Sequence, residues 1–341
     1  MILSAEEHPL LEVKDLHVSF FTHVGEVRAI RGVDFHVNRG ESIGIVGESG
    51  SGKSVTSLAI LRLLPYPGKI TSGSISFQGE DLLFKGKQEM RKIRGNRISM
   101  IFQDPMTSLN PVFTVGEQIM EVLRVHRHTK GHKETLARAI EMLDLVGIPS
   151  PQTRVHCYPH EFSGGMRQRA MIAMSLACEP ELLIADEPTT ALDVTIQAQI
   201  LDLMNDLREK IGTSIMLITH DLGVVSETCS RVLVMYGGQV MEESPADQLF
   251  EKPLHPYTKG LLRSIPLHGG GGERLIPIPG TPPDLLKPPA GCPFVERCSE
   301  AMRICLEHPP GFHSYQEGRR VACWRLSPEM PVKEGGADGH R

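Results

Sequence analysis

Three segments in a fixed order constrain the fold of this chain more than any other feature. The Gly-rich stretch at residues 47–54 follows an apolar run, residues 162–166 contain Ser-Gly-Gly, and a second apolar run ends in Asp186 and Glu187. A Gly-rich turn between a strand and a helix directs backbone N–H groups and the helix dipole toward phosphate oxygens. The order of the segments therefore predicts an α/β fold that binds a nucleotide.

The Gly-rich stretch is a candidate phosphate loop. We expect Lys53 to reach the β- and γ-phosphates of the nucleotide, and the Ser54 hydroxyl to hold Mg²⁺. The cofactor-binding residues predicted in this loop are Gly47, Glu48, Ser49, Gly50, Ser51, Gly52, Lys53 and Ser54.

The two acids that end the second apolar run suit the two tasks of phosphoryl transfer. Asp186 is placed to meet the Mg²⁺ shell, whereas Glu187, one residue on, points differently and can polarise the attacking water. Asp-Glu at a strand end can instead simply cap the next helix. The position of the pair behind a phosphate loop favours the catalytic interpretation.

The pattern of apolar residues predicts how the chain is organised. Period-two alternation over residues 11–46 indicates an antiparallel β-layer, and helical spacing dominates residues 105–177. Strand candidates at residues 182–185, 214–219 and 231–235, separated by a helix, imply a parallel, covered sheet. We expect a nucleotide-binding domain over residues 1–258, with a helical subdomain at about residues 105–177.

The composition of the sequence changes near residue 255. A stretch rich in Gly and Pro, typical of turns and loops, precedes a segment with four cysteines at residues 292–323. We expect residues 259–341 to form a C-terminal extension whose last residues, 331–341, are a disordered tail.

Charge and hydropathy bear on the partners of the chain. The formal net charge of −5 gives no general electrostatic reason to bind nucleic acid or an anionic membrane surface. No apolar run approaches the roughly 18–20 residues needed to cross a bilayer. Residues 1–9 lack the pattern of a signal peptide. We therefore expect a cytosolic chain that reaches a membrane only through partner proteins.

Over residues 10–255 the motifs resemble the nucleotide-binding domain of ABC ATPases. The resemblance implies ATP and Mg²⁺ as cofactors, and a signature loop in which Ser163, Gly164 and Gly165 bind the ATP of a facing subunit. It also implies that Gln103 is the Q-loop glutamine, which contacts Mg²⁺ and water, that Asp193 belongs to the D-loop, and that His220 is the switch histidine. The implied catalytic residues are Glu187, His220 and Gln103, and the implied Mg²⁺ ligands are Ser54, Gln103 and Asp186. The signature departs from the common Leu-Ser-Gly-Gly-Gln form in its outer positions, Phe162 and Met166. Phe20 or Phe21 could stack on adenine, although aromatic residues on an alternating strand are more often core.

A narrower resemblance, carried by residues 103–111, 189–199 and 255–258, is to the ATPase subunits of dipeptide/oligopeptide ABC importers. It implies that ATP-driven dimer closure powers peptide uptake at the cytoplasmic face of the inner membrane. The implied partners are a second homologous ATPase, two membrane permeases and, indirectly, an extracytoplasmic substrate-binding protein. Nickel or a sugar is an alternative cargo. A soluble ABC ATPase of translation or DNA maintenance is disfavoured by the single phosphate loop, and a redox module by the lack of a flavin or nicotinamide motif.

Cys292, Cys298, Cys305 and Cys323 supply enough thiols for one closed metal site. Their spacing does not choose the metal, although structural zinc prefers closer Cys pairs, and four thiolates can hold a 4Fe–4S cluster. Because some members of the peptide-importer family bind such a cluster in a similar segment, the resemblance implies a 4Fe–4S cluster here. Zinc and unmetallated thiols are the alternatives.

Overall fold

The structure, a computed structural model, describes residues 8–103, 108–127, 131–189, 194–264, 276–316 and 318–329. The predicted tail at residues 331–341 and the predicted D-loop at residues 190–193 lie outside this described part. None of the described helices is both long enough and apolar enough to span a bilayer.

The described strands are, in chain order, β1 (Leu11–Thr22), β2 (Gly25–Val37), β3 (Ser42–Val46), β4 (Gly68–Phe77), β5 (Glu80–Asp81), β6 (Ile98–Ile101), β7 (Leu182–Asp186), β8 (Ser214–Thr219), β9 (Arg231–Tyr236), β10 (Gln239–Pro245), β11 (His313–Gln316) and β12 (Arg319–Val321). The described α-helices are α1 (Lys53–Ile60), α2 (Lys87–Ile93), α3 (Val115–His126), α4 (His132–Leu145), α5 (Pro151–Arg154), α6 (Gly164–Leu176), α7 (Val194–Ile211), α8 (Leu222–Thr228), α9 (Ala246–Glu251), α10 (Pro256–Arg263) and α11 (Arg303–Glu307).

The strands form two sheets. One is an antiparallel layer in the order β2-β1-β4-β5, and the other has the order β11-β12-β10-β9-β3-β8-β7-β6. The pairings among β9, β3, β8, β7 and β6 are parallel. Every residue of β3, β7 and β8 is buried, as expected for strands of a covered parallel sheet. The predicted α/β fold with a mixed sheet and an antiparallel layer is confirmed.

Parallel pairing decides where the site lies. Because β3, β8 and β7 are neighbours and run the same way, their carboxyl ends meet at one edge of the sheet. The segments that follow them are the candidate phosphate loop, the segment containing His220, and Glu187. Ligands of open α/β sheets bind at this edge.

Helices α3, α4 and α6 pack together beside the main sheet and share its apolar core. Helix α3 begins with a capping box, in which Thr114 Oγ1 accepts from the Glu117 N–H and the Glu117 carboxylate accepts from the Thr114 N–H. The N-terminus of α6 carries the Ser-Gly-Gly segment, so this helix links the core of the helical region to the signature loop.

The C-terminal segment does not form a separate unit built around cysteine. Strand β12 pairs with β10, and β11 pairs with β12, so both extend the main sheet. Arg319, which is 4% exposed, donates to the fully buried carboxylate of Glu242 at 3.2 Å. The expected small Cys-rich extension is therefore not supported, because sheet pairing and a buried ion pair already hold this segment.

Candidate functional site

The phosphate loop lies between β3 and α1, and two of its glycines are required by the backbone. Gly47 has φ +151°, and a Cβ atom there would overlap the carbonyl oxygen of Met235. Gly52, the residue before α1, has φ +107°, which only glycine adopts readily. The loop therefore depends on glycine at these two positions.

The Lys53 side chain folds back onto the phosphate loop. Its Nζ donates to the carbonyl oxygens of Gly47 and Glu48 at 2.7 and 3.0 Å, and the residue is 6% exposed. Burial lowers the pKa of Lys53, and the nearby acids Glu187 and Asp186 oppose this effect. The side chain thus places a buried cation at the loop that is predicted to hold the phosphates.

Ser54 and Asp186 form a pair of oxygen donors. Ser54 Oγ donates to Asp186 Oδ1 at 3.1 Å, and Asp186 is 5% exposed. Burial raises the pKa of Asp186, the hydrogen bond from Ser54 lowers it, and Glu187 raises it further. A hydroxyl and a buried carboxylate are hard oxygen ligands that fit Mg²⁺.

Glu187 is joined to two other predicted catalytic residues. Its carboxylate accepts from Gln103 Nε2 at 2.8 Å, and its other oxygen lies 3.3 Å from His220 Nδ1. Its own N–H donates to the Ile218 carbonyl at 2.8 Å, and its φ of +48° is unusual for a residue other than glycine. Gln103, Glu187 and His220 follow β6, β7 and β8, so adjacent strands bring them together.

Ser163 begins α6 as its N-cap, and its Oγ accepts from the Met166 N–H at 3.3 Å. Ser163 and Gly164 are exposed, so the positive end of a helix of 13 residues faces outward. A Cβ atom on Gly165 would lie 3.1 Å from Ile196 Cγ2. Among the described residues, no hydrogen bond joins Ser163 to the phosphate loop of its own chain.

The departures in the outer positions of the signature have a packing reason. Phe162 is 3% exposed, and Met166 packs against the same apolar core. Both side chains anchor the start of α6, so neither is needed at the outward-facing Ser-Gly-Gly. Asp193 lies outside the described residues. Of the two adenine candidates, Phe20 packs against the antiparallel layer, whereas Phe21 is 46% exposed.

One contact of the phosphate loop was missed in the sequence. The Glu48 carboxylate forms an ion pair with Arg297, and the Glu48 N–H donates to Tyr257 Oη at 2.9 Å. Tyr257 belongs to the His-Pro-Tyr-Thr motif at residues 255–258, which supported the family resemblance without indicating this contact. Arg297 lies 249 residues from Glu48, and no local pattern marks it.

The predicted iron–sulfur cluster is wrong. Among the described residues, which include all four cysteines, no group of three or more Cys, His, Asp or Glu side chains could hold a metal ion. Burial raises the pKa of Cys292 to about 12 and also raises the pKa values of Cys298 and Cys323. The zinc alternative fails as well, because no such metal-holding group occurs among the described residues. Buried Cys292 and Cys323 instead act as small apolar residues.

The group of residues at the carboxyl ends of β3, β7 and β8 defines the class of the protein as a P-loop ATPase of the ABC type. The family model described as "ABC transporter" matches residues 30–190. A dimeric ATP-binding cassette in a post-hydrolysis state, bound to ADP and phosphate, is 28% identical with a TM-score of 0.63, covering 69% of this chain and 98% of its own. The cbiO1 protein of Clostridium perfringens, part of an ABC transporter complex, gives 27% and 0.61, covering 72% and 92%.

Proteins that are similar in amino-acid sequence define the family more narrowly. The oligopeptide transport ATP-binding protein OppD of Bacillus subtilis is 58% identical, over 95% of this chain and 91% of its own length. The dipeptide transport ATP-binding protein DppD of the same species is 54% identical, over 92% and 94%. The OppD protein of Escherichia coli is 51% identical, over 95% and 94%. The family model for the C-terminal region of oligopeptide/dipeptide transporters matches residues 241–305. The chain belongs to the family of ATP-binding proteins of oligopeptide and dipeptide ABC transporters.

Proposed function

We propose that this chain hydrolyses ATP to power the uptake of di- and oligopeptides through partner permeases. The observation that carries the proposal is the placement of Glu187. Its carboxylate contacts Gln103 and His220. The residue before it, Asp186, accepts a hydrogen bond from Ser54. A carboxylate held beside a Mg²⁺ site is suited to orient an attacking water. The names of the relatives favour peptide over nickel or sugar as the cargo.

The residues of the site divide the work of phosphoryl transfer. N–H groups of residues 47–54, other than that of Glu48, which donates to Tyr257, bind the phosphates together with the Lys53 ammonium. Ser54 and Asp186 hold Mg²⁺, assisted by Gln103. When bound, Mg²⁺ neutralises charge on the phosphate oxygens. Glu187 accepts a proton from the attacking water and is oriented by its contacts with the Gln103 amide and His220. His220 is 65% exposed, and this leaves it accessible to the γ-phosphate.

A second, homologous ATPase subunit completes each site. Ser163 and Gly164 are exposed at a helix N-terminus, and among the described residues no hydrogen bond joins Ser163 to the phosphate loop of its own chain. The outward helix end suits the γ-phosphate of an ATP held by the facing subunit. The resemblance assigns Asp193, which lies outside the described residues, to the D-loop of the same dimer. Closure of the dimer around ATP then couples hydrolysis to the permeases.

The permeases have a candidate docking surface close to the site. A cleft of about 650 Å³ is lined by apolar side chains from three parts of the chain, Leu61, Leu63, Met100, Phe102, Met171 and Met174. Leu63 and Phe102 are 38% and 42% exposed. One wall of the cleft is next to the active site in sequence, because Phe102 precedes Gln103, and its other wall belongs to α6, which begins at Ser163. An apolar segment of a permease seated here contacts both elements at once.

The proposal also assigns the parts of the chain. Residues 1–258 form the nucleotide-binding domain, with the helical subdomain at about residues 105–177, and residues 259–341 form a C-terminal extension. The protein works at the cytoplasmic face of the membrane as a peripheral subunit, held there by the permeases.

The direct test is reconstitution. The chain is assembled with the ATPase and permease proteins that co-purify with it from its native membrane, and ATP hydrolysis is measured with a binding protein loaded with peptide, nickel or sugar. The proposal expects stimulation by the peptide-loaded form only. Stimulation by nickel or sugar would contradict the cargo, and hydrolysis that no transport component alters would contradict the function.

A further inference from the structure

The C-terminal segment contacts the phosphate loop directly through one arginine. Arg297 Nη1 and Nη2 donate to Glu48 Oε2 and Oε1 at 2.6 and 3.0 Å, and Nη1 also donates to Tyr236 Oη at 3.1 Å. The Arg297 side chain is 5% exposed and that of Glu48 is 25% exposed. Two parallel charge-assisted hydrogen bonds fix both the position and the plane of a carboxylate.

The backbone of Glu48 is held as well. Its N–H donates to the hydroxyl of Tyr257, a fully buried residue in the first turn of α10. Its carbonyl oxygen accepts from Lys53 Nζ at 3.0 Å. Side chain, N–H and carbonyl of one loop residue therefore all have partners, and two of these partners lie outside the loop.

Arg297 is itself fixed by the C-terminal segment. Its Nε donates to the Pro279 carbonyl at 2.9 Å and its Nη2 to the Ile278 carbonyl at 3.2 Å. Phe294, three residues earlier, packs against Tyr236 and Tyr257 with ring centroids 5.3 and 5.2 Å apart. Moving the guanidinium away from Glu48 therefore also disturbs its hydrogen bonds to this segment.

The charge of Glu48 gives the contact an electrostatic consequence. A bare carboxylate in a phosphate loop repels the polyanionic tail of ATP, and the repulsion is strong where water is partly excluded. Arg297 neutralises this carboxylate and holds it close to Tyr236, whose hydroxyl accepts from the same guanidinium. The phosphate loop can thus carry an acid without losing its attraction for phosphate.

We infer that Arg297 is a positioning residue for the phosphate loop, and that docking of residues 276–329 and binding of ATP are coupled through the Glu48–Arg297 pair. The inference deepens the proposed function and rests on it. Because coupling between two binding events is reciprocal, ATP should stabilise the docked segment as much as the docked segment strengthens ATP binding.

The test uses the full chain and measures the Kd of ATP by titration with a fluorescent ATP analogue. Arg297→Gln keeps hydrogen-bonding capacity but removes the charge, and we expect it to weaken ATP binding about tenfold. Adding Glu48→Gln to this variant should restore most of the affinity, because the unpaired carboxylate is then gone. Arg303→Ala, at an exposed position of the same segment, is the matched control and should bind as the wild type does.

The variants separate the possible failures. A role of Arg297 in folding alone would lower thermal stability without a rescue by Glu48→Gln, and this result would overturn the inference, as would wild-type affinity in Arg297→Gln. Lys53→Ala separates the inference from the proposed function. If Lys53→Ala binds ATP normally, the proposed site itself is wrong. If Lys53→Ala loses ATP but Arg297→Gln does not, only the inference is wrong.

A measurement on the wild-type chain needs no variant. Amide hydrogen exchange of residues 292–298 should slow when Mg²⁺ and ATP are added, because the docked segment is then the favoured state. Unchanged exchange in this segment, with slower exchange in the phosphate loop, would overturn the coupling.

Discussion

The Ser54 hydroxyl and the Asp186 carboxylate lie 3.1 Å apart although 132 residues separate them in the chain. Ser54 lies in the first turn of α1, the helix that follows β3 in the chain, and Asp186 is the last residue of β7. Strands β3 and β7 both pair in parallel with β8. The sheet therefore brings together two oxygen donors of the type that Mg²⁺ requires.

Asp186→Asn tests this pair. The amide keeps the size of the side chain but removes the negative charge, so we expect hydrolysis to require much more Mg²⁺ while ATP binding without Mg²⁺ persists. The measurement is the Mg²⁺ concentration for half-maximal ATPase activity. Asp202→Asn, at an exposed position of α7, is the control. An unchanged Mg²⁺ requirement in Asp186→Asn would show that this carboxylate does not serve the metal.

Ser163→Arg tests the cross-subunit role of the signature. The long cation should fill the space at the N-terminus of α6 that the facing ATP needs, so the isolated chain should still bind ATP while the assembled complex stops hydrolysing it. In a dimer that contains one Ser163→Arg subunit and one Lys53→Ala subunit, the two defects should fall on the same site. Residual hydrolysis from the other site is then expected. If the Ser163→Arg subunit instead lost the site at its own phosphate loop, the assignment would fail.

Leu63→Glu tests the proposed permease cleft. A carboxylate on this exposed apolar wall should weaken assembly with the permeases, because docking would remove the charge from water. ATP binding by the isolated chain should be unchanged. Leu306→Glu places the same charge on another exposed leucine, 59% accessible in the C-terminal segment, and should assemble normally. Equal recovery of the complex with both variants would place the permease contact elsewhere.

His255 makes folding stability depend on pH. Its Nδ1 accepts from the Tyr257 N–H at 3.0 Å, and burial, together with Lys259, lowers its pKa to about 3 from the ordinary value of 6.5. Between these values the unfolded chain binds more protons than the folded one, so stability falls as pH drops below 6.5. From about pH 7.5 to about pH 5.5 the loss from this group is about 1.4 kcal/mol.

The measurement is the free energy of unfolding in denaturant at the two pH values, for the wild type and for His255→Asn. Asparagine can still accept from the Tyr257 N–H at the start of α10 but does not titrate. The variant should lose about 1.4 kcal/mol less than the wild type over this interval. Identical losses would show that His255 is not held neutral by burial.

Local signals made much of the site predictable. Glycine spacing marked the phosphate loop, the buried strand before Asp186 marked the acidic end, and Ser163 marked the start of α6. Each of these features depends on neighbours in sequence: a turn that needs glycine, an apolar run, a helix cap. The parallel sheet then brought them to one edge, as alternating strands and helices predict.

The contact between Glu48 and Arg297 could not be found in this way. The chain has 36 basic and 41 acidic residues, so spacing cannot select one pair 249 residues apart. The cysteines failed for the opposite reason. Their spacing was suggestive, but spacing does not decide whether the side chains form a group that can hold a metal, and no such group occurs among the described residues.

Glu187→Gln tests whether this acid polarises the attacking water. The amide can still contact His220 but cannot accept a proton, so hydrolysis by the assembled transporter should fall by about 10²–10⁴-fold. ATP should still bind, and a closed dimer with ATP bound should accumulate. Phosphate release and dimer formation are measured on the same sample. Near-normal hydrolysis in this variant, or loss of ATP binding, would show that Glu187 does not have this role.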